Sequence, residues 1–175
     1  MRKNLRTAPS AVAQVRLTEP KLAILEPARL SRSMWVFAFV LLGSGDADYE
    51  NFFNQMQSRY PGRVAVKIGF LPNLSKKIYA GADAFLMPSK SEPCGLAQMV
   101  AARYGTLPIV RETGGLKDSI HDMGGDNGNG FTFKTYNAHD MLGAIQRAEG
   151  LYGNKPLWNQ AMINALNSDF SWNKS

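Results

Sequence analysis

A carboxylate, a predicted helix N-terminus and a glycine-rich turn occur close together within residues 88–118. Pro93 lacks a backbone N–H but suits the first turn of a helix, so a helix is predicted over 93–104 with Glu92 at or beside its N-cap. The free N–H groups at such an end, together with the positive end of the helix macrodipole, bind phosphate. An ionised Glu92 accepts hydrogen bonds from hydroxyl groups. A phosphate bonded to a polyol is a sugar phosphate or a nucleotide sugar, so this is the ligand class that the pattern indicates.

The same pattern also has a purely structural interpretation. Strand–proline–helix junctions occur throughout α/β domains, and an acidic residue beside an N-cap commonly stabilises the helix and nothing else. The turn formed by Thr113, Gly114 and Gly115 can likewise serve backbone geometry alone. The spacing by itself therefore leaves a ligand site and an ordinary helix cap as two open interpretations.

Strands and helices alternate along the chain, which predicts a doubly wound α/β domain with a parallel sheet. The predicted strands are 11–15, 35–42, 63–70, 84–87, 107–111 and 130–134, and the predicted helices are 47–59, 73–80, 93–104, 138–151 and 156–167. In such sheets, ligands bind at the carboxyl ends of the strands. Four segments follow strands at that edge, namely 43–46, Phe70, 92–97 and 113–116. Their convergence predicts a single binding site.

The composition is that of an ordinary globular domain. Of the 175 residues, 45% are hydrophobic and 19% are charged, which suffices for one domain with a substantial core. The longest apolar run, 34–43, is too short to span a bilayer. Cys94 is the single cysteine, which excludes an internal disulfide and a cysteine-based zinc site. His121 and His139 are the two histidines and form no convincing metal cluster, so no metal is expected.

The net charge of +6 is concentrated near the N-terminus. Residues 1–33 contain seven basic and two acidic residues, whereas the remaining chain contains thirteen basic and twelve acidic residues. Because no basic stripe is interleaved with aromatic residues, a nucleic-acid partner is not expected. Residues 1–10 are interpreted as a disordered or cloning-derived lead, and residues 11–175 as one domain, which the family resemblance described next implies to be nucleotide-sugar-binding.

Several blocks of sequence closely resemble the C-terminal nucleotide-sugar-binding domain of bacterial glycogen synthases and plant starch synthases. The resemblance is carried by 15–21 (VRLTEPK), 41–46 (LLGSGD), 60–66 (YPGRVAV), 78–83 (IYAGAD), 88–98 (PSKSEPCGLAQ) and 169–174 (DFSWNK). These enzymes are retaining glucosyltransferases in which two Rossmann-like domains face a cleft, the GT-B architecture. The resemblance therefore implies that this chain is the C-terminal half of such an enzyme.

The resemblance also implies roles for individual residues. Arg16 and Lys21 would contact the diphosphate, where preorganised cations stabilise the charge that develops on the leaving nucleoside diphosphate. Glu92 would hold the glucose hydroxyls, and Phe70 would stack against the adenine. The remaining contacts would come from Cys94, Gly95, Leu96 and Ala97 at a phosphate, and from Thr113, Gly114 and Gly115 on the sugar side. The family needs no metal and no other cofactor.

Without the resemblance, these residues have simpler interpretations. Arg16 and Lys21 would be two solvated surface cations, and Phe70 would be a core residue at the end of a strand. The chain also departs from the family pattern, because Leu22 follows Lys21 where a glycine is usual and Pro27 interrupts a helix. The segment 22–34 is therefore altered relative to the family.

The resemblance implies that the chain binds ADP-glucose for retaining transfer of glucose to the non-reducing end of an α-1,4-glucan. The family's N-terminal domain, which carries the acceptor site, is not found in these 175 residues, so the isolated chain is expected to be inactive. The expected partners are ADP-glucose, the glucan acceptor and the missing N-terminal domain, with no membrane, in the cytoplasm or in a plastid if the source is a plant. The alternative is a non-catalytic nucleotide-sugar-binding remnant or a truncated gene product. A nucleotide-sugar epimerase is a third possibility, although the added acid–base residues it requires are not found.

Overall fold

A computed structural model of the chain describes residues 12–18, 36–125 and 127–171. The strands are β1 (Val12–Thr18), β2 (Val36–Gly43), β3 (Val64–Ile68), β4 (Ala84–Met87), β5 (Leu107–Arg111) and β6 (Phe131–Phe133). The helices are α1 (Ala47–Arg59), α2 (Pro72–Gly81), α3 (Ala97–Arg103), α4 (Gly115–Ser119), α5 (Ala138–Tyr152) and α6 (Lys155–Asn167). The predicted lead at 1–10 and the predicted diphosphate contact Lys21 lie outside the described residues.

The strands form one sheet in the order β3-β2-β1-β4-β5-β6. The pairs β2–β3, β4–β5 and β5–β6 are parallel. Buried apolar side chains lie on both faces of this sheet. Because successive side chains of a strand point to opposite faces, Leu86 of β4 packs in a cluster with Trp158 of α6, whereas Phe85 packs in another cluster with Tyr79 of α2. Helices therefore cover both faces, which confirms the predicted Rossmann-like α/β class.

β1 is the exception to the predicted parallel order. It pairs antiparallel with β2, from Val12 opposite Leu42 to Thr18 opposite Val36, and antiparallel with β4. A parallel pair requires a crossover, usually a helix, whereas an antiparallel pair does not. Alternation of apolar residues predicts a strand here but carries no information on its direction.

Several boundaries agree with the sequence prediction and others do not. The predicted bounds 47–59, 84–87 and 107–111 are those of α1, β4 and β5. Helix α3 begins four residues later than predicted, at Ala97, and the five-residue helix α4 was not predicted.

The longest helix in the described part of the chain, α5, has 15 residues, and none of the helices there has the length and apolarity needed to cross a membrane.

Candidate functional site

The segment that joins β4 to α3, residues 88–96, forms no helix or strand and carries Glu92, Cys94 and Gly95. We call it the β4–α3 loop. It lies at the edge of the sheet where the parallel strands end, which is the edge that binds ligands in doubly wound folds. Glu92 is half-buried and Cys94 is exposed. The loop therefore presents a carboxylate and backbone groups where a ligand is expected.

The glycine pair after β5 packs directly against this loop. The N–H of Gly115 donates to the carbonyl oxygens of Glu92 at 3.2 Å and Pro93 at 3.3 Å. A Cβ on Gly114, which has a φ of +44°, would lie 2.2 Å from the Glu92 carbonyl oxygen, and a Cβ on Gly115 would lie 2.0 Å from that of Cys94. Both positions need glycine because the two backbones touch. The structure thus brings the predicted residues Thr113, Gly114 and Gly115 together with the loop.

A buried amide, Gln98 of α3, fastens the other end of the loop. Its Nε2 donates to the carbonyl oxygen of Gly95 at 2.7 Å and to the hydroxyl of Ser119 at 3.0 Å. Gln98 is fully buried, and its Oε1 has no hydrogen-bond partner. The sequence analysis missed this residue. The available signal was a glutamine on the same helical face as Ala101 and Ala102, which are buried.

The predicted helix cap at Glu92 is wrong. The N-cap of α3 is Leu96, and no side chain caps it. The physical reason is Gly95, whose φ of +67° lies in the left-handed region and cannot continue a right-handed helix. Consequently Cys94 and Gly95 belong to the loop, and Ala97 is the first helical residue. This outcome removes the cap interpretation of Glu92, since its side chain caps no helix.

Phe70 stands clear of the core. Its side chain is 89% exposed, so the interpretation of Phe70 as a core residue is wrong. Phe70 follows β3 by two residues, and the N–H of the preceding Gly69 donates to the carbonyl oxygen of Gly43 at 2.9 Å. The turn after β2 and the exposed ring are therefore neighbours at the same sheet edge as the β4–α3 loop.

Arg16 is not brought to this edge. It was predicted to follow the first strand but lies inside β1, opposite Ala38 near the start of β2. Val15 already pairs with Ala84, the first residue of β4, so Arg16 lies beyond the start of that strand. With about 3.3 Å per residue, the length of β4 separates Arg16 from the edge at which the β4–α3 loop begins.

A cavity of about 790 Å³ opens beside the loop. Cys94, Leu96 and Gly115 contribute to one wall, whereas Glu92 and Phe70 are not among the lining residues. Its volume is within the range of about 300–1,000 Å³ that small-molecule sites have.

No group of three or more His, Cys, Asp or Glu side chains in the described part of the chain could hold a metal ion.

Asp122 follows His121, one of the residues that line this cavity, and its carboxylate fixes this part of the chain. Its Oδ2 accepts hydrogen bonds from the Thr132 N–H and from Nη2 of Arg147, both at 2.8 Å, and its Oδ1 accepts one from the Gly124 N–H at 3.1 Å. Burial alone would raise the pKa of Asp122, but the hydrogen bonds from Thr132, Gly124 and Arg147 outweigh it and hold the pKa below its usual value. The carboxylate therefore stays ionised and links β6 to α5.

These features define a class of domain. An exposed aromatic ring follows β3, and a carboxylate loop supported by glycines follows β4, both at the edge where the parallel strands end. This is the organisation of a Rossmann-type α/β domain, a class of fold in which ligands lie across the carboxyl ends of the strands.

Comparison with known proteins identifies the family. The sequence model of the glycosyl transferases group 1 family matches residues 19–156, and the chain belongs to this family.

Two bacterial glycogen synthases illustrate the similarity. The chain is 54% identical over 138 residues to the glycogen synthase of Anoxybacillus flavithermus, an alignment that covers 78% of this chain and 28% of the relative. It is also 54% identical over 139 residues to the glycogen synthase of Desulfitobacterium hafniense, covering 78% of this chain and 30% of the relative. The chain thus spans less than a third of the length of these curated relatives.

A solved structure shows the same similarity in three dimensions. The catalytic domain of starch synthase IV from Arabidopsis thaliana, bound to ADP and acarbose, superposes with a TM-score of 0.69 at 35% identity. The match covers 75% of this chain and 28% of that one. The resemblance predicted from the sequence motifs is confirmed by these relatives.

Proposed function

We propose that the chain is the donor-binding part of a glucosyltransferase and that it binds ADP-glucose. The observation that carries this proposal is the β4–α3 loop, whose Glu92 is half-buried, caps no helix and is supported from behind by Gly114 and Gly115. A carboxylate held in this way at the ligand-binding edge is suited to accept hydrogen bonds from sugar hydroxyls. Similarity to glycogen synthases and to a starch synthase bound to ADP supports glucose as the sugar and ADP as the nucleotide.

The other predicted residues take roles consistent with their positions. The exposed ring of Phe70 would stack on the base, as aromatic side chains do with bases elsewhere. Backbone N–H groups of Cys94, Gly95, Leu96 and Ala97 would bind a phosphate at the start of α3. Lys21 would contribute charge from outside the described residues. Arg16 is left out of the proposed site, because β1 places it at the opposite edge of the sheet.

The complete reaction would be transfer of glucose, with retention, to the non-reducing end of an α-1,4-glucan. Such a transfer requires the acceptor to be held next to the donor, and proximity of this kind accounts for a large part of the rate enhancement in two-substrate enzymes. The relatives are more than three times as long as the matched region. We therefore propose that a second domain supplies the acceptor site and that this chain alone does not elongate glycogen; glucan synthesis by the purified 175-residue chain would contradict this division.

Replacement of Glu92 by Gln tests the sugar contact. Gln keeps the shape of the side chain but loses the negative charge, so ADP-glucose should bind more weakly while ADP, which has no glucose, should bind as before. A hydrogen bond to a charged group contributes about 1.5–3 kcal/mol, which corresponds to a loss of roughly tenfold or more in affinity. Isothermal calorimetry with both ligands measures the difference.

The matched control is Glu149→Gln, which makes the same chemical change on α5, away from the loop. It should leave both affinities unchanged. If Glu92→Gln binds ADP-glucose as tightly as the parent chain does, Glu92 does not hold the sugar and the site assignment is wrong. If Glu92→Gln lowers the affinities for ADP and ADP-glucose by the same factor, Glu92 acts on the nucleotide rather than on the glucose.

A further inference from the structure

Arg111, the last residue of β5, reaches across the sheet edge into the first half of the β4–α3 loop. Its Nε donates to the carbonyl oxygen of Ser89 at 2.9 Å, and its Nη2 donates to that of Lys90 at 2.5 Å. Its Nη1 lies 3.4 Å from the carbonyl oxygen of Lys134. The guanidinium carbon also lies 5.7 Å from the ring centroid of Tyr136, within the range of a cation–π contact. Each of the three nitrogen atoms of the guanidinium is thus directed at a backbone carbonyl oxygen of the protein.

These hydrogen bonds hold the backbone immediately before Glu92. Glu92 comes two residues after Lys90, in a loop that has no helical or sheet hydrogen bonds to define its path. The later part of the loop is fastened by the Gly115 N–H and by Gln98. Arg111 fastens the earlier part, so Glu92 lies between two fixed points. A planar guanidinium that donates to two successive carbonyl oxygens restrains their direction as well as their position.

We propose that Arg111 is a positioning residue for Glu92, which sets the carboxylate in the orientation that receives the sugar. This inference rests on the proposed function of the site. It assigns Arg111 no contact with the ligand, because Nε, Nη1 and Nη2 all face backbone carbonyl oxygens. Loss of Arg111 should therefore weaken the sugar contact more than the nucleotide contacts, because the later part of the loop, whose N–H groups would bind the phosphate, keeps its hydrogen bonds to Gly115 and Gln98.

The chain contains a matched control for a purely structural role. Arg103 of α3 also donates to a backbone carbonyl oxygen, from Nη1 to Leu166 at 2.9 Å, and joins α3 to α6 away from the loop. Lys in place of either arginine keeps the charge but removes the planar guanidinium, which at Arg111 donates to two successive carbonyl oxygens and at Arg103 to one. Arg111→Lys therefore makes this change at a hydrogen-bond donor to the β4–α3 loop, and Arg103→Lys makes it at a donor that joins α3 to α6.

Two measurements on the 175-residue chain separate positioning from stability. The first is the affinity for ADP-glucose relative to that for ADP, by calorimetry. The second is the rate at which Cys94 reacts with a thiol reagent such as dithionitrobenzoate. Cys94 is the single cysteine, is exposed and lies two residues after Glu92, so its reaction rate reports on the conformation of the loop without any ligand.

For Arg111→Lys we expect the affinity for ADP-glucose to fall by about tenfold, the effect of losing one well-formed hydrogen bond to a charged group. The affinity for ADP should change by less than about threefold, and the rate of Cys94 modification should rise severalfold. Arg103→Lys should change neither the affinity for ADP-glucose relative to ADP nor the rate of Cys94 modification. If Arg111→Lys proves too unstable for the assay, Arg111→Met keeps most of the packing of the side-chain stem, removes every donor, and should show the same pattern.

Three results would overturn the inference. If Arg111→Lys and Arg103→Lys behave alike in both measurements, Arg111 does not position the loop and its hydrogen bonds contribute to stability alone. If ADP and ADP-glucose weaken equally with Arg111→Lys and the Cys94 rate is unchanged, Arg111 contacts the phosphates directly. If the parent chain binds ADP but gains nothing from the glucose, there is no sugar contact for Arg111 to position. Failure of the parent chain to bind either ligand would overturn the proposed function itself, and an unchanged Cys94 rate would then separately refute the tether.

Discussion

Gly115→Ala tests whether the contact between the glycine pair and the β4–α3 loop determines sugar binding. A Cβ built on Gly115 would lie 2.0 Å from the carbonyl oxygen of Cys94, 2.7 Å from its carbonyl carbon and 2.9 Å from its Cα. All three are backbone atoms, so no side chain can rotate away to relieve the clash. Since Cβ contacts shorter than 3.0 Å are essentially never found, the two backbones must separate by at least about 1 Å.

The cost of this separation can be bounded. Overpacking a close contact costs about 1–3 kcal/mol, and the hydrogen bonds from the Gly115 N–H to the carbonyl oxygens of Glu92 and Pro93 would lengthen as well. Because α4 begins at Gly115, the better helix propensity of Ala returns at most about 1 kcal/mol. For a chain of this size, a net loss of about 1–3 kcal/mol lowers the melting temperature by roughly 2–12 °C.

Gly115→Ala should also weaken the binding of ADP-glucose, because the loop that it displaces carries Glu92. Displacement of the loop by about 1 Å moves Glu92 out of hydrogen-bond geometry, and loss of a hydrogen bond to a charged group costs about 1.5–3 kcal/mol. We therefore expect ADP-glucose to bind at least about tenfold more weakly. Calorimetry and thermal unfolding on the same preparation measure the two effects.

Gly143→Ala is the matched control. Gly143 lies within α5, and a Cβ there would have no atom within 4 Å. Alanine should therefore stabilise this helix by about 0.5–1 kcal/mol and leave binding unchanged, so the two Gly→Ala variants are expected to shift the melting temperature in opposite directions. If Gly115→Ala melts and binds as Gly143→Ala does, the close backbone contact does not hold the loop and the reasoning about the site is refuted.

Two further predictions concern the base and the pH dependence of stability. Phe70→Ala should lower the affinities for ADP and ADP-glucose by the same factor, since both carry the adenine, with a loss of about 1–3 kcal/mol typical of base stacking. Thermal unfolding should be unaffected because the ring is 89% exposed. Unchanged affinities in calorimetry would exclude stacking. Asp122→Asn should lower the melting temperature at pH 7, because hydrogen bonds from Thr132, Gly124 and Arg147 hold the pKa of Asp122 below its usual 3.8. A depressed pKa stabilises the fold above the pKa of the unfolded chain, and the stabilisation is lost as pH falls through the folded-state pKa. The difference between Asp122→Asn and the parent should therefore shrink in melting curves recorded below about pH 4, and a difference that is constant with pH would show that the charge of Asp122 is unimportant.

The parts of the fold that the sequence predicted well are those defined by local patterns. The run 84–87 is apolar throughout and ends at a proline, and the structure shows β4 with these bounds and fully buried. Helix α1 was predicted within its observed limits between the turn at 43–46 and Arg59. The start of α3 was missed because its position depends on the left-handed conformation of Gly95, which a glycine permits but does not require.

The parts of the site that could not be predicted depend on contacts between distant segments. Arg111 and Gln98 both bind backbone carbonyl oxygens of the β4–α3 loop, and a backbone acceptor leaves no residue-type signal at its position in the sequence. The direction of β1 was missed for a similar reason, since the alternation of residues in a strand is the same whichever way it runs. The acidic and aromatic side chains of the proposed site, and the glycine pair behind the loop, were named from motif resemblance, whereas Arg111 and Gln98 were not.

The strand order sets a minimum length for any ligand that uses the whole site. Phe70 follows β3 and the Glu92 loop follows β4, and these two strands are separated by β2 and β1. Three steps between neighbouring strands amount to about 14 Å. A free hexose phosphate is too short to reach from the carboxylate to the ring, and a bare nucleotide that stacks on the ring leaves the carboxylate unused. If Phe70 and Glu92 have the proposed roles, the strand order therefore favours an elongated ligand with a base at one end and a sugar at the other.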